Sequence, residues 1–408
     1  MTPPGTGHSP PAVVRQLRSG DDLEAQLDLA RRAFGPFDDA PGRLAAVEAA
    51  VSDGRYYAAF AGPRTVAGAG FHDMRQWWYG RPVPMAGVGG VMVAPEERGR
   101  GVGSALMTEL LQVIANRGYP LSVLYPATAP IYRSLGWELA GRLYRAVIPA
   151  RSLASLSPAD VPAQSPPGLR RAGPSDAEHV IAVIGAVHKS ARHCGPATRD
   201  QASVQRWLSD ESLFCYLAAD GFLAYGWHDG NREIVVYSAL AESAPTTRAI
   251  WSIVGSHSSI AERVLAVVAP DDPVGWLTRE PDVGLAEHEP WMLRVVDAAA
   301  AVSGRGFPAA AELVVTLKLD DAQLPGNAGV WTLRVGGGQG SLQRFITDGR
   351  APVSPPGPVL GARGFAALYA GVPMATLRGA GLATGGDAAA DEALDCAFAA
   401  SAFMLDDF

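Results

Sequence analysis

A chain of 408 residues, 48% of them hydrophobic, holds too much apolar material for one ordinary core and predicts two or three domains. Its formal net charge of −7 argues against a nucleic-acid binder, which needs a basic face to neutralise phosphates; small cationic partners suit it better. The start MTPPGTGHSPP is neither basic nor apolar, and no run of about 18 apolar residues occurs, so the sequence reads as a cytoplasmic protein without a membrane span.

Residues 1–12 are rich in Pro, Gly and Ser and read as a disordered N-terminus. Asp21 and Asp22 then head a helix, DDLEAQLDLARRAF, with Leu23, Leu27, Ala30 and Phe34 at helical spacing. Strands are predicted at 56–60 and 66–71 around the turn AGPR, and at 87–93. A Gly-rich turn opens the next helix, whose apolar face is Leu106, Leu110, Val113 and Ile114 and whose stop is Gly118. The strand LSVLYP, the short helix APIYRSLG and the strand WELAGRLYRAVI finish an α/β unit over 13–150.

The Pro-rich segment 151–168 reads as a linker. A second unit, 169–290, repeats the opening order of the first: an extended piece, then an Asp/Ser-capped helix. Strands are predicted at 213–219, 222–228, 233–240 and 263–268, with a helix near 246–255. None of these strands is followed by a Gly-rich phosphate turn, so a duplicated unit would lack that site. Residues 291–408 place strands before helices, the order of a separate α+β domain.

Cys194, Cys215 and Cys396 are far apart, lack CxxC spacing and read as buried thiols. His72, His188, His193 and His228 form no metal-ligand spacing and read as structural or surface residues, so no metal is expected. No GxSxG nucleophile elbow occurs.

The most informative stretch runs from Val91-Met92-Val93 through Arg98-Gly99-Arg100-Gly101-Val102-Gly103-Ser104, a strand, a Gly-rich loop and a helix start. Backbone N–H groups at a helix N-terminus, with glycines permitting close approach, can cradle a pyrophosphate, and Arg98 and Arg100 add positive charge. Neither GxGxxG nor GxxxxGK[ST] is met. The loop resembles instead the R/Q-x-x-G-x-G/A acetyl-CoA loop of GNAT acetyltransferases, and the segment from Ile131 to Trp137 resembles that family's YxxxGF ending, with Tyr132 at its tyrosine position.

A wider resemblance, to the Eis (enhanced intracellular survival) family, covers nearly the whole chain, down to LDCAFA at 394–399 and the acidic, Phe-terminated end. It implies two fused GNAT-like domains, the second degenerate, followed by a sterol-carrier-like domain. It implies acetyl transfer from acetyl-CoA to amines of polycationic small molecules such as aminoglycosides, and a homohexamer. By the same resemblance Tyr132 is the general acid and the α-carboxylate of Phe408 the base. Val91, Met92 and Val93 serve the thioester and pantetheine, and residues 98–104 the pyrophosphate. Ala127 and Thr128 flank the cofactor with backbone groups, and Asp407 helps attract the amine.

The base chemistry is sound on its own terms, since an α-carboxyl is a weak base in water but a stronger one when buried among apolar groups such as Phe403, Met404 and Leu405. Phe37, Asp38 and Asp39, with Trp77 or Trp78, are candidates for lining the amine pocket. A protein-lysine acetyltransferase and a non-catalytic acyl-CoA or lipid carrier are the alternatives.

Overall fold

The computed structural model describes residues 12–36, 40–156, 168–279, 283–345, 357–406 and 408. The expected disordered start, apart from Ala12, lies outside these residues, as does most of the expected linker.

The first unit runs β1 (Val13–Gln16), α1 (Leu23–Phe34), α2 (Ala40–Ser52), β2 (Tyr56–Ala61), β3 (Arg64–Trp78), β4 (Arg81–Val93), α3 (Val102–Asn116), β5 (Leu121–Leu124), α4 (Ala129–Ser134) and β6 (Glu138–Pro149). Asp22 caps α1 by accepting from Ala25 N, and Arg31 and Arg32 complement the dipole in its last turn. Leu27 and Ala30 are buried, whereas Phe34, expected on the same face, is exposed. In α3 the expected Leu106, Leu110 and Ile114 are buried, and Gly118 follows at φ +78°. Strands β3 and β4 outrun their expected lengths. Trp77 and Trp78 are both buried, so the strand end has no in–out alternation for sequence reasoning to find.

The second unit runs α5 (Ala150–Leu153), β7 (Arg170–Arg171), α6 (Ala177–Ser190), β8 (Cys194–Thr198), α7 (Gln201–Leu208), β9 (Leu213–Ala218), β10 (Gly221–His228), β11 (Glu233–Ala241), α8 (Ala244–Gly255), β12 (Arg263–Val268), α9 (Val274–Leu277) and β13 (Gly284–Val295). The segment expected to be a linker begins in α5, with Leu153 and Leu156 buried in the second unit's core. Along β10, Phe222 and Ala224 face the α6/α7 layer while Leu223 and Tyr225 face the α8 layer, so helices cover both faces of the sheet.

The two units exchange their closing strands. Strand order in the main sheet is β1-β2-β3-β4-β5-β13-β6-β12-β11-β10-β9-β7. Strand β13, from the end of the second unit, inserts antiparallel between β5 and β6, with Leu293 opposite Val123 and Glu138. Strand β6, from the first unit, in turn pairs along the whole of β12. The expected boundary at 290/291 therefore falls inside one strand.

The third unit has α10 (Ala298–Gly304), β14 (Leu313–Asp320), β15 (Gly329–Gly336), β16 (Gln339–Arg344), β17 (Pro358–Gly361), α11 (Ala362–Tyr369), α12 (Met374–Gly379), β18 (Ala383–Gly385), α13 (Ala388–Phe398) and β19 (Phe403–Met404). Its sheet order is β16-β15-β14-β17-β18. Its core is continuous with the first unit's: Trp78, Met85 and Trp291 pack in one cluster with Leu317, Leu333, Phe365 and Phe398. Strand β19 leaves this unit and pairs parallel with β6, Phe403 opposite Arg142, which carries the chain end back to the large sheet. Cys194 and Cys215 are buried, but Cys396 is exposed, because the α13 face that carries it points away from the core. Among the described residues no helix is long and apolar enough to cross a membrane, and no group of three His, Cys, Asp or Glu side chains could hold a metal.

Candidate active site

Strands β4 and β5 pair in parallel from Met85/Leu121 to Val88/Leu124 and then part. On β4 a bulge intervenes, Gly70 opposing Gly89 but Gly68 opposing Met92, with Gly90 at φ +63°. On β5 the chain reaches Pro126, which has no N–H to continue a ladder. Residues 89–93 consequently have no strand partner on the β5 side. Their backbone N–H and C=O groups offer the extended edge that an amide-bearing arm such as pantetheine can pair with.

At the far end of β4 the loop turns through Gly99 (φ +75°) and Gly101 (φ +79°) into α3, where the N–H groups of the first turn have no intrahelical acceptor. A Cβ on Gly103 would lie 3.2 Å from both Val93 Cγ2 and Ile131 Cδ1, closer than ordinary contact, so glycine lets loop, strand and α4 approach without those side chains giving way. The strand edge, the N–H cradle and the glycine approach fit acetyl-CoA. Arg98 folds back with Nε 3.4 Å from the Val93 carbonyl, while Arg100 pairs with the buried Glu97 at 3.1 Å. Glu97 also holds Arg64 at 3.3 Å and fixes the loop from beneath, a contact no motif announces. Ala127 and Thr128 are exposed on the opposite lip, Thr128 at the start of α4.

Tyr132 lies in α4, its ring edge-on to Trp137 at 6.5 Å. Burial pushes its phenol up, which keeps it protonated at neutral pH. Two ionic networks hold the turn that follows it. Buried Glu138 accepts from Arg133 Nη2 (2.8 Å), Arg363 Nε (2.6 Å) and Leu139 N (2.9 Å). Buried Arg294 donates to the Leu135 carbonyl (3.0 Å) and to both oxygens of Asp321 (2.7 Å each). Arg294 leans over Gly136, whose φ of +93° and lack of a Cβ make room for it.

The chain end reaches the mouth between β4 and β5. A Cβ on Gly87 would lie 2.8 Å from the ring of Phe408, and one on Gly89 would lie 3.6 Å from the carboxyl carbon of Phe408 and 3.8 Å from His72 Nε2. The Tyr125 hydroxyl donates to the Asp406 carbonyl at 2.6 Å, and its ring meets that of Phe408 at 5.5 Å. His72, expected to be a scattered residue, therefore faces the same recess as the Phe408 carboxyl. Desolvation, then Arg199 and Arg55, push its pKa down to about 4, so it is neutral at pH 7. The only sequence signal for this recess is Gly87-x-Gly89 beside His72 on paired strands, legible once the register is known.

Phe37, Asp38, Asp39 and Asp407 lie outside the described residues. Neither tryptophan lines an open pocket: Trp78 packs edge-on against Tyr369, and Trp77 donates to Thr198 Oγ1 and packs on His188. Both are drawn into contacts between units, which their exposed-looking sequence context conceals.

Family models for an acetyltransferase (GNAT) domain match residues 14–140 and 195–295, and one for a sterol carrier protein domain matches 298–405. The crystal structure of a GCN5-related N-acetyltransferase from Kribbella flavida is 41% identical, with a TM-score of 0.89 covering 97% of this chain and 99% of that one. The chain belongs to the GCN5-related N-acetyltransferases. Within these, it is 28% identical to the N-acetyltransferase Eis of Mycobacterium tuberculosis over 83% of its own length and 84% of the relative's, which bears out the Eis resemblance. Eis1 from Mycobacterium abscessus shares the fold, with a TM-score of 0.75 at 23% identity. The GCN5-related architecture, two acetyltransferase domains and a sterol-carrier domain, is the one expected, and its third domain starts after β13.

Proposed function

We propose that this GCN5-related N-acetyltransferase moves an acetyl group from acetyl-CoA to the amine of a small molecule, with Tyr132 as general acid and, in a chain ending at Phe408, the terminal carboxylate as general base. The observation that carries the reading is the carboxyl of Phe408 lying against Gly89, at the point where β4 loses its β5 partner.

Acetyl-CoA supplies the thioester; the chain supplies everything that orients it and moves protons. The edge at Val91, Met92 and Val93 holds the pantetheine arm and aims a backbone N–H at the developing oxyanion. The N–H groups of residues 99–104, with Arg98 and Arg100, hold the pyrophosphate, and the backbone at Ala127 and Thr128 closes the flank. As the new C–N bond forms and the C–S bond breaks, the Phe408 carboxylate takes the amine proton. The Tyr132 phenol gives its proton to the departing thiolate and is reprotonated from solvent. Asp407 would add negative charge beside the amine.

The Eis resemblance suggests a polycationic acceptor such as an aminoglycoside. Cytoplasmic location and a homohexamer are further parts of this proposal. Exposed Trp276 and Ile260 support association between copies, and sedimentation equilibrium tests it.

The test follows coenzyme A thiol release with a panel of amines, comparing protein ending at Phe408 with protein extended by one glycine. Retained acetyl-CoA binding with a rate loss of about 10²-fold or more in the extended form is the expected result. Equal rates would move the base elsewhere.

A further inference from the structure

A cavity of about 340 Å³ lies inside the second domain, between helices α6 and α7 and strands β6, β11 and β12. That volume falls in the range of small-molecule pockets, ~300–1,000 Å³. Its walls are apolar: Val180, Ile181 and Ile184 from α6, Trp207 from α7, Val267 from β12 and Leu405 from the C-terminal tail. Deeper in the same layer Val183, Leu217 and Phe222 are buried in one hydrophobic cluster. Side chains lining a void forgo contacts on one side, so these walls are a preformed apolar surface.

The end of the cavity nearest the C-terminal tail approaches the recess that holds Phe408. Thr198, Arg199 and Asp406 rim this end, with Arg199 Nε 3.8 Å from the Asp406 carboxylate. The carbonyl of Asp406 is held by Tyr125, whose ring contacts Phe408. Leu405 in the wall is three residues from Phe408, a reach of at most about 11 Å. Charge decides what this cavity takes. Its charged lining groups are Arg145, Arg199 and Asp406; Arg145 is paired with Glu289 at 3.8 Å and Arg199 with Asp406 at 3.8 Å, so the lining offers no surplus of negative charge to a polycation. His188, at the wall, is pushed down to about 3 by burial and stays uncharged.

We infer that the acceptor of this enzyme is a primary amine on an apolar body, the body lodging in the α6/α7 cavity and the nitrogen emerging at the Asp406 rim toward Phe408. This rests on reading the β4/β5 cleft as the acetyl-transfer site.

The test measures kcat/KM at saturating acetyl-CoA for n-propylamine, n-hexylamine, 2-phenylethylamine, spermidine and kanamycin, together with equilibrium binding of n-hexylamine by calorimetry. The expected result is a rise of about fourfold per added methylene from propylamine to hexylamine, with hexylamine and 2-phenylethylamine ahead of both polycations. In Ile184→Trp, which fills the cavity, the hexylamine-to-propylamine ratio should collapse toward one and hexylamine binding should be lost. A flat alkyl series in the wild type, or a preference for spermidine or kanamycin, overturns the inference while leaving the acetyltransferase intact. Hexylamine that binds the wild type but is never acetylated, while another amine is, also overturns the inference, because the cavity then does not seat the acceptor. Absence of both binding and turnover overturns the cavity as well, and these wild-type outcomes hold whether or not the variant folds.

Discussion

Gly87 and Gly89 matter for what they lack. On the face of β4 that meets Phe408, any Cβ at Gly87 would press on that ring at 2.8 Å and on Met74 Sδ at 3.0 Å. Gly87→Ala is therefore expected to displace the terminal residue and to lower kcat by about 10–100-fold at unchanged acetyl-CoA affinity, read by steady-state kinetics alongside calorimetry. His188 offers a different test, through pH. Burial, and then the neighbouring His193, push it down to about 3, well below the ordinary value for histidine. Because its folded-state pKa is the lower one, the unfolded chain binds more protons between pH 6.5 and 3. Its contribution is complete above about pH 6.5 and is lost as pH falls through that window. The midpoint of urea unfolding should drop between pH 7 and 5 by the equivalent of about 2 kcal/mol, and His188→Phe should remove most of that drop.

The turn between α4 and β6 is held from the third domain. Arg363, on α11, and Asp321, just after β14, reach it across 225 and 27 residues through Glu138 and Arg294, and Arg294 itself spans 159 residues to Leu135. The sterol-carrier-like domain thus braces the element that carries Tyr132. Asp321→Asn leaves Arg294 buried with its charge uncompensated and is expected to cost about 3–5 kcal/mol, seen as a lowered thermal midpoint. If the brace positions Tyr132, kcat should fall in the surviving folded fraction as well. The second domain shows a matching economy at the level of strands. There β11 and β12 pair only from Glu233/Arg263 to Val236/Ala266 and then part, as β4 and β5 do. No Gly-rich turn follows. The resulting cavity of about 550 Å³ is lined by residues 237–241 on one side and by tail residues such as Ala400 and Phe403 on the other. In the second domain the parted strands thus face the C-terminal tail across this cavity.

At the scale of the whole molecule, strand exchange and a shared core tie the units together. Without β13 the edges of β5 and β6 would face each other unpaired, and an open edge of this kind invites aggregation. A fragment of residues 1–150 is accordingly expected to be insoluble or molten, whereas three independent domains would give a soluble fragment with native-like circular dichroism. Arg305 marks the junction with the third domain. It is fully buried, bonded to the Tyr369 carbonyl, and its guanidinium carbon lies 4.6 to 5.5 Å from the rings of Tyr369, Phe398, Phe307 and Trp78, the last from β3.

Local features were legible in the sequence because local physics makes them. The Asp22 cap, the apolar face of α3, the glycines at 99, 101 and 103, the helix carrying Tyr132 and the three-part order all follow from spacing and residue type within a few turns of chain. Tertiary structure alone decided the rest: that β13 completes the first domain and β6 the second, that Trp78 is core, that Cys396 is exposed, and that His72 shares a recess with Phe408. A strand carries one pattern of buried side chains whichever edge it joins. A carboxylate such as Glu138 looks alike whether solvated or clasped by two arginines, one of them 225 residues away. Pairing, burial of charge and the meeting of chain ends are long-range outcomes, and no window of sequence contains both partners.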